Sequence, residues 1–412
     1  MDRTQESFDL TQRTIFGLLS HNLFQVPFAP ETGVDWTAVF RESKQQAVDV
    51  QVFMDRERLT GMPEELYQQI QAYLFRRVVK NIQVHAHHTE LHRLLTGHGV
   101  RYVVLKGAAS ARYYPDPQSR AMGDVDFYVQ KSDFEKALEL FREAGFEAGE
   151  LDHICHVVLR KKPMHYEMHH TPAGVPGGQV GQIILGYLSD LREQACLVEN
   201  KTVSCYCPSD FHHGLIMLMH MQHHLLAEGI GLRHLCDWAV FVDKFHGTEF
   251  PELFQEKLKK AGLWRLARIL SLCAARFLGL GELPWMREGK GDEQAAAALM
   301  EDILAGGNFG NKDRQRAYEG MFISDRGKNG VGDRRLRMAF QSLNRITFAK
   351  YPIFRKIPVL LPVGWIMAFV GYLFRNHKRN SQGSQSHVLS AYRKSAPRIR
   401  LYQSLGIYEP ES

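Results

Sequence analysis

The strongest signal for the fold lies in residues 105–129, which read LKGAASARYYPDPQSRAMGDVDFYV. Its last part is an apolar segment that carries two acids, Asp124 and Asp126, one residue apart. Carboxylates are rarely buried in apolar surroundings unless they are paired or bind a metal ion. The acid pair therefore predicts a site rather than an ordinary core strand at this position.

The spacing of the two acids indicates what they bind. We predict a strand over Asp124–Val129, in which alternate side chains point to the same side. Asp124 and Asp126 then present two carboxylates to one point, while Val125 and Phe127 face the core. Like charges this close raise each other's pKa unless a cation lies between them. Oxygen ligands suit Mg²⁺ (or Mn²⁺), which takes further ligands from substrate phosphates, so the spacing favours a metal–triphosphate site.

A glycine turn precedes the acid pair. Arg101–Lys106 is β-rich and predicts a strand, and Gly107 ends it before a short helix predicted over Ala108–Tyr114. A backbone without Cβ followed by a helix N-terminus favours phosphate binding. Lys106 and Ser110 lie beside the turn and add a positive charge and a hydroxyl.

A third acid follows on a later strand. Val157–Arg160 and Met164–His170 predict two strands joined at Lys161-Lys162-Pro163. Glu167, in the second of these strands, is the candidate for a third carboxylate. His169 is the alternative for the same structural position.

Hydrophobic periodicity predicts an α+β protein. The order strand, helix, strand, helix, strand, strand over residues 96–175 predicts a small mixed-sheet core. Residues 1–95 read as a helical segment, with a long helix that opens at Pro63-Glu64-Glu65 and ends at Gly97. Residues 205–300 again show helical spacing, so we expect N-terminal helices and a C-terminal helical domain to flank the core.

Local signals predict the limits of several helices. Ser132 and Glu135 have capping-box spacing, which predicts a helix through Ala144. In the C-terminal helical domain, apolar periodicity predicts three helices, at Phe211–Ala227, Gly231–Phe245 and Glu252–Leu278.

The charge of the chain is uneven. Residues 334–408 contain fourteen Lys and Arg and no Asp or Glu, and since the whole chain carries +6, the remainder carries about −8. The basic C-terminal segment, 334–412, indicates an anionic partner, either a membrane surface or nucleic acid. Residues 357–374 within it are uncharged and have basic flanks. They predict a helix packed on the body, an interfacial membrane contact or, at the low edge of the required length, a membrane span.

The cellular location is expected to be the cytoplasm. The six cysteines include no CxxC pair, which is typical of a reduced protein rather than a disulfide scaffold. The first residues lack the basic start and apolar run of a signal peptide. Peripheral attachment to the inner face of the membrane through the basic segment is the alternative.

Twenty histidines form the other conspicuous feature. His213, His220 and His224 share one helix face, which suits either a zinc site completed by Asp237 or the wall of a binding cleft. We assign His220 and His224 to the cleft wall. Arg233 and Asp237 have the spacing of a helix ion pair. A second group of histidines is expected on a solvated helix face: His85, His87, His88 and His92.

The motifs LKG, YYPDP and R-x-x-GDVDFYV within residues 105–129 resemble the bacterial family of uncharacterised nucleotidyltransferases (nucleotidyltransferase family 5, in the DNA polymerase β superfamily). The segment HHGLIMLMHMQHHLLAEGIGLRHLCDWAVFV, at residues 212–242, is similar to a helical segment of that family. The resemblance covers roughly residues 65–245. The turn here departs from the superfamily pattern, because Ala108 follows Gly107 where a second Gly or a Ser is usual.

The resemblance implies transfer of a nucleoside monophosphate from an NTP, such as ATP, to a hydroxyl, with release of pyrophosphate. The acceptor can be a small molecule or a macromolecule, with nucleic acid not excluded. Carried over by position, Asp124 and Asp126 hold the metal ions. Glu167 shares one ion and helps to activate the acceptor hydroxyl.

Three further residues take nucleotide-binding roles under the same resemblance. Gly107 allows the triphosphate to approach the backbone, and Lys106 and Arg120 neutralise phosphate charge. Two other functions stay open at this point: a nucleotide-binding protein of the same fold without turnover, and a metal-dependent hydrolase built on His220, His224 and Asp237.

Overall fold

The computed structural model describes residues 8–149, 156–172, 174–313, 316, 363–364, 398–407 and 409–410. The chain divides into two compact units, one of residues 1–225, 229–313 and 401–412, and one of residues 226–228 and 314–400. All the elements described below belong to the first unit. The apolar stretch at 357–374 lies outside the described residues apart from Val363 and Gly364, so its role stays a prediction.

The N-terminal part is helical, as the periodicity predicts. It contains α1 (Leu10–Phe24), α2 (Trp36–Gln45), α3 (Asp49–Phe53) and α4 (Glu64–Gly97). The long helix α4 begins directly after Pro63, with Glu64 and Glu65 in its first turn, where acids are favoured by the helix dipole. Both predicted ends of this helix are confirmed.

The α/β part is a five-stranded mixed sheet. In chain order its elements are β1 (Tyr102–Val104), α5 (Ala108–Ala111), β2 (Val125–Val129), α6 (Phe134–Glu143), β3 (Glu147–Ala148), β4 (His156–Lys161) and β5 (Met164–His169). The strand order is β1-β2-β5-β4-β3, in which β2 and β5 are parallel and the other neighbours antiparallel. The predicted fold class, α+β with a mixed-sheet core, is confirmed.

The core of this part explains the orientation of β2. Val125, Phe127 and Val129 are buried in one cluster with residues of α4 and α6. Complete burial of a Phe side chain stabilises the fold by roughly 1.5–3 kcal/mol. Because alternate residues face opposite sides of a strand, burial of these three turns Asp126 to the other face of the sheet.

Two local predictions in this part are wrong. Asp124 lies just before β2 rather than inside the strand, which begins at Val125. The capping box of Ser132 and Glu135 does not form, because α6 begins one residue later, with Asp133 at its N-cap and no capping hydrogen bond from a side chain. A one-residue shift of a helix start removes the spacing on which a capping box depends.

The rest of the described chain is mainly helical. It comprises α7 (Gly178–Tyr187), a hairpin of β6 (Cys196–Glu199) and β7 (Ser204–Cys207), and the helices α8 (Asp210–Leu225), α9 (Leu232–Asp243), α10 (Glu249–Lys260), α11 (Trp264–Leu278) and α12 (Asp292–Gly306). The single helix predicted over Glu252–Leu278 is two helices, because Gly262 between them has φ +63° and interrupts the helical path. A 3₁₀ turn, Asn308–Gly310, follows α12.

None of the helices that the structure describes is long and apolar enough to cross a bilayer. The basic C-terminal segment, 334–412, falls mostly outside those residues. Its proposed contact with an anionic surface stays a prediction.

Candidate active site

Two of the three acids that the sequence singled out meet at the parallel pair of strands. Asp126 of β2 lies opposite Glu167 of β5 in the sheet register. Residues in register on adjacent strands place their side chains side by side on one face. Asp126 is only 7% exposed, so its carboxylate requires a charged or hydrogen-bonding neighbour.

A compact group of ligand atoms forms on this face. One oxygen each of Asp126 and Glu167 and one ring nitrogen of His169 all lie within 4.8 Å of one another. His169 Nε2 is 3.3 Å from Asp126 Oδ1 and 3.7 Å from Glu167 Oε2. The structure thus brings both Glu167 and His169 to Asp126, although the sequence offered them as alternatives.

Asp124 stands apart from this group. Its Oδ1 lies 2.7 Å from His165 Nδ1, and it is not part of the three-residue cluster. Because Asp124 precedes the first residue of β2, strict strand alternation does not hold its carboxylate beside that of Asp126. His165 was missed from the sequence, although His165, Glu167 and His169 alternate along β5 and so share one face.

Lys106 supplies the positive charge beside the buried acid. Its Nζ is 2.8 Å from Asp126 Oδ1. Burial by itself raises the pKa of Asp126, but the Lys106 ammonium and the hydrogen bond from His169 outweigh burial and lower that pKa below its usual range. Burial lowers the pKa of His169, but its hydrogen bonds to Asp126 and Glu167 outweigh that effect and raise it.

The turn after β1 requires glycine. Gly107 has φ +62°, and a Cβ there would lie 2.8 Å from Nε2 of His88. His88 Nδ1 donates to the carbonyl of Val84, so Nε2 is free to accept from the amide of Ala108 at 3.4 Å. His85 and His88 are buried, not solvated as predicted, because α4 turns this face toward the sheet.

The backbone of this turn is already occupied. The amides of Ala108, Ala109 and Ser110 donate to His88, to the carbonyl of Lys106 and to the carbonyl of Gly107. These three amides therefore already have acceptors within the protein, and the side chains of Lys106 and Ser110 are the polar groups of the turn that line the cavity.

Arg120 is held in a buried ion pair. Its Nε and one terminal nitrogen each lie 2.7 Å from a different oxygen of Asp237, and Tyr114 donates its hydroxyl to the same carboxylate at 2.7 Å. The predicted helix pair of Arg233 with Asp237 is wrong, because Arg120 and Tyr114 occupy that carboxylate. The pair joins the loop before β2 to helix α9.

Helices α8 and α9 face the acids across a cavity of about 320 Å³. We call Lys106, Asp124, Asp126 and Glu167 the acid wall, and His220, His224, Arg233, His234 and Phe309 the helical wall; all of them line the cavity, as do Gly107, Ser110 and Arg120. The cleft position predicted for His220 and His224 is thus where the structure places them.

The histidines of the helical wall are neutral. Burial lowers the pKa of His224 to about 3 and those of His220 and His234 well below the usual value. His213, on the same helix, instead stacks on Tyr113 in the core. Within the described residues, the metal-ligand cluster contains none of these histidines, so the zinc alternative gains no support.

Comparison with known proteins identifies the family of the chain. A family model described as "uncharacterised nucleotidyltransferase" matches residues 32–279, more than half of the chain. The chain belongs to that family. No curated protein and no solved structure matches it significantly.

Membership of this nucleotidyltransferase family confirms the resemblance seen in the motifs and extends it at both ends. Residues 32–279 contain the whole acid wall and every residue of the helical wall except Phe309. Membership implies a nucleotide substrate.

The residues present fit a divalent metal ion, which nucleotidyltransferases typically use. Two carboxylates supply oxygen ligands suited to a hard cation, and His169 adds a nitrogen. The Lys106 ammonium, 2.8 Å from Asp126, meets the same need for positive charge at this carboxylate.

Proposed function

We propose that the protein is a metal-dependent nucleotidyltransferase that moves a nucleoside monophosphate from an NTP to a hydroxyl acceptor and releases pyrophosphate. The observation that carries the proposal is the cluster of Asp126, Glu167 and His169, whose two carboxylates line a cavity that Lys106 also lines. A buried carboxylate with a perturbed pKa that meets a second carboxylate and a lysine in one cleft is typical of a catalytic site.

Asp126 and Glu167 would hold Mg²⁺ or Mn²⁺, with His169 as a third neighbour and Asp124 as a further ligand when His165 releases it. When bound, the ion supplies positive charge to the triphosphate and to the attacking oxygen. Glu167 is more exposed than Asp126 and lines the cavity, and we assign its carboxylate the role of accepting the proton of the acceptor hydroxyl.

The turn before the acids would hold the triphosphate. Lys106 leaves Asp126 and pairs with a phosphate oxygen, and Ser110 donates its hydroxyl. In the transfer, the acceptor oxygen bonds to the α-phosphorus while the bond from that phosphorus to the bridging oxygen breaks. The leaving group is pyrophosphate, whose developing charge Lys106 neutralises.

Arg120 has a different part in this proposal from the one that the sequence suggested. Its guanidinium is bonded to Asp237, so we assign it the task of holding the loop before β2 against α9. Asp124 lies at the end of that loop. Arg120 is thus a positioning residue for the acid wall.

The test uses the full chain with each of the four α-labelled NTPs, Mg²⁺ or Mn²⁺, and a cell extract as the source of acceptor. Label should appear in one fraction of the extract, with pyrophosphate released in equal amount. The Asp126→Asn variant should abolish labelling, whereas Asp243→Asn, an exposed acid outside the cavity, should not. Heat stabilisation by Mg-NTP without labelling would instead indicate a binding protein without turnover.

A further inference from the structure

The helical wall contains a cation without a carboxylate partner. Arg233 lines the cavity, and among the described residues no Asp or Glu forms an ion pair with it. Asp237, one turn further along α9, is bonded to Arg120 and Tyr114. Burial and the repulsion of Arg120 lower the pKa of Arg233 to about 10, which still leaves it charged at neutral pH.

The next residue presents a second donor without an acceptor. His234 is 3% exposed and lines the same cavity. The amide of Gly231 donates to His234 Nδ1 at 3.2 Å, so the ring hydrogen resides on Nε2. Nε2 is buried and has no hydrogen-bond partner. A buried N–H of this kind destabilises the folded protein unless a ligand accepts from it.

An anion satisfies both groups. A guanidinium and an adjacent N–H offer donors only, and Arg binds the oxygens of phosphate and carboxylate in its planar fork. The other side chains at this end supply no charge, because His220 and His224 are neutral and Phe309 lies beneath the guanidinium, 5.2 Å from its centre. The positive charge of Arg233 therefore favours a negatively charged ligand group at this end of the cavity.

We propose that Arg233 and His234 bind an anionic group of the acceptor, so that the substrate receiving the nucleoside monophosphate is a small hydroxyl compound bearing a phosphate or a carboxylate. The proposal rests on the proposed function. The NTP has its own cation at the opposite wall, since Lys106 stands beside Asp126 and the Gly107 turn. An anion at Arg233 is thus additional to the triphosphate.

The experiment measures two affinities on the full chain by calorimetry at constant ionic strength. The first titrant is the Mg²⁺ complex of an α,β-methylene NTP, which cannot transfer its nucleotide. The second is inorganic phosphate, and in parallel acetate, added to protein saturated with that analogue. Phosphate or acetate should bind the saturated wild-type protein, and Arg233→Gln should weaken that binding about tenfold or more.

Several comparisons keep the proposal open to disproof. Affinity for the analogue should stay within about twofold in Arg233→Gln, as expected for loss of one contact that the nucleotide does not make. Arg233→Lys should recover part of the anion affinity, and the surface variant Arg142→Gln should behave as wild type. His234→Phe, which keeps the ring but loses the N–H, should also weaken anion binding.

Three results would overturn the proposal. Absence of phosphate and acetate binding to the saturated wild-type protein removes the anion site. Weakening of the analogue by Arg233→Gln assigns Arg233 to the triphosphate. Failure of wild type to bind any of the four analogues refutes the proposed function itself, and the acceptor assignment with it.

Discussion

The two walls of the cavity carry their charges in opposite ways. On the acid wall every charge has a partner: Lys106 with Asp126, and Asp124 with His165. Glu167 lies 3.7 Å from His169. On the helical wall the histidines are neutral, and Arg233 has no carboxylate partner among the described residues. Under the proposed function, the acid wall exchanges these internal partners for a metal and a triphosphate, and the helical wall donates to an anion of the acceptor.

The two walls therefore differ in how much their buried charges cost the stability of the ligand-free protein. On the acid wall each carboxylate has a side-chain nitrogen within 3.7 Å, which lowers the free-energy cost of its burial. The helical wall retains an uncompensated guanidinium, whose depressed pKa records the cost of its burial. A buried charged group with a perturbed pKa is typical of a binding surface.

The strongest loss of activity is expected from a substitution in the acid wall. Asp126→Asn should lower nucleotidyl transfer by about 10³-fold, because the more buried of the two carboxylates in the cluster loses its charge. Binding of Mn²⁺ to the purified protein, followed by electron spin resonance, should be lost as well. Asp243→Asn is the matched control, and unchanged Mn²⁺ binding in Asp126→Asn would place the metal elsewhere.

The next effect breaks the connection of the loop before β2 to the helical wall. Asp237→Leu should lower the free energy of unfolding by about 3–5 kcal/mol, because it leaves the buried Arg120 guanidinium unpaired. Urea unfolding measures this loss. The double variant Arg120→Met/Asp237→Leu should regain much of it, and a double variant as unstable as the sum of the single ones would show that the two side chains do not interact.

A smaller effect tests whether Lys106 competes with a metal ion for Asp126. Lys106→Met should raise the affinity for Mn²⁺ in the absence of nucleotide, since the ammonium no longer competes for Asp126. It should weaken binding of the Mg²⁺–nucleotide analogue about tenfold, since a charge-assisted contact is lost. Both affinities are measured by titration, with exposed Lys131→Met as control. Equal weakening of metal and nucleotide would contradict the exchange.

The smallest effect concerns the histidine behind the acid wall. Burial lowers the pKa of His88 to about 4, below the ordinary 6.5, so the folded protein keeps this imidazole neutral. Its contribution to stability is complete above pH 6.5 and is lost as the pH falls from 6.5 toward 4, by about 1.4 kcal/mol at pH 5.5.

That prediction is checked by urea unfolding at pH 7.5 and 5.5. The loss of stability between the two values should be smaller in His88→Gln than in wild type, whereas His98→Gln, exposed at the end of α4, should leave it unchanged. An identical pH dependence in wild type and His88→Gln would mean that His88 does not titrate as its burial implies.

Part of the site could be predicted from the sequence because it depends on local backbone geometry. The alternation in β2 and β5 places Asp126 and Glu167 on the site face, and the need for φ > 0 identifies Gly107. The position of Asp124 relative to Asp126 was predicted less well, since the strand begins one residue later than expected.

Other parts could not be predicted because they depend on which distant elements meet. His213 and His220 share a helix face in sequence, yet one packs in the core and the other lines the cavity. Arg233 and His234 were missed as site residues for the same reason. Alternation along β5 could have identified His165, whereas no local pattern distinguishes Arg233 from an ordinary helix arginine.

By itself, the sequence determined the α+β class, the family and the acid face of the sheet, because strand alternation, turn glycines and contiguous motifs act over a few residues. Only the tertiary structure decided that Arg120 pairs with Asp237, 117 positions away, and that Arg233 is left to face the cavity. The interaction of two charged side chains depends on the distance between them in space. The packing of the sheet against the helices sets that distance.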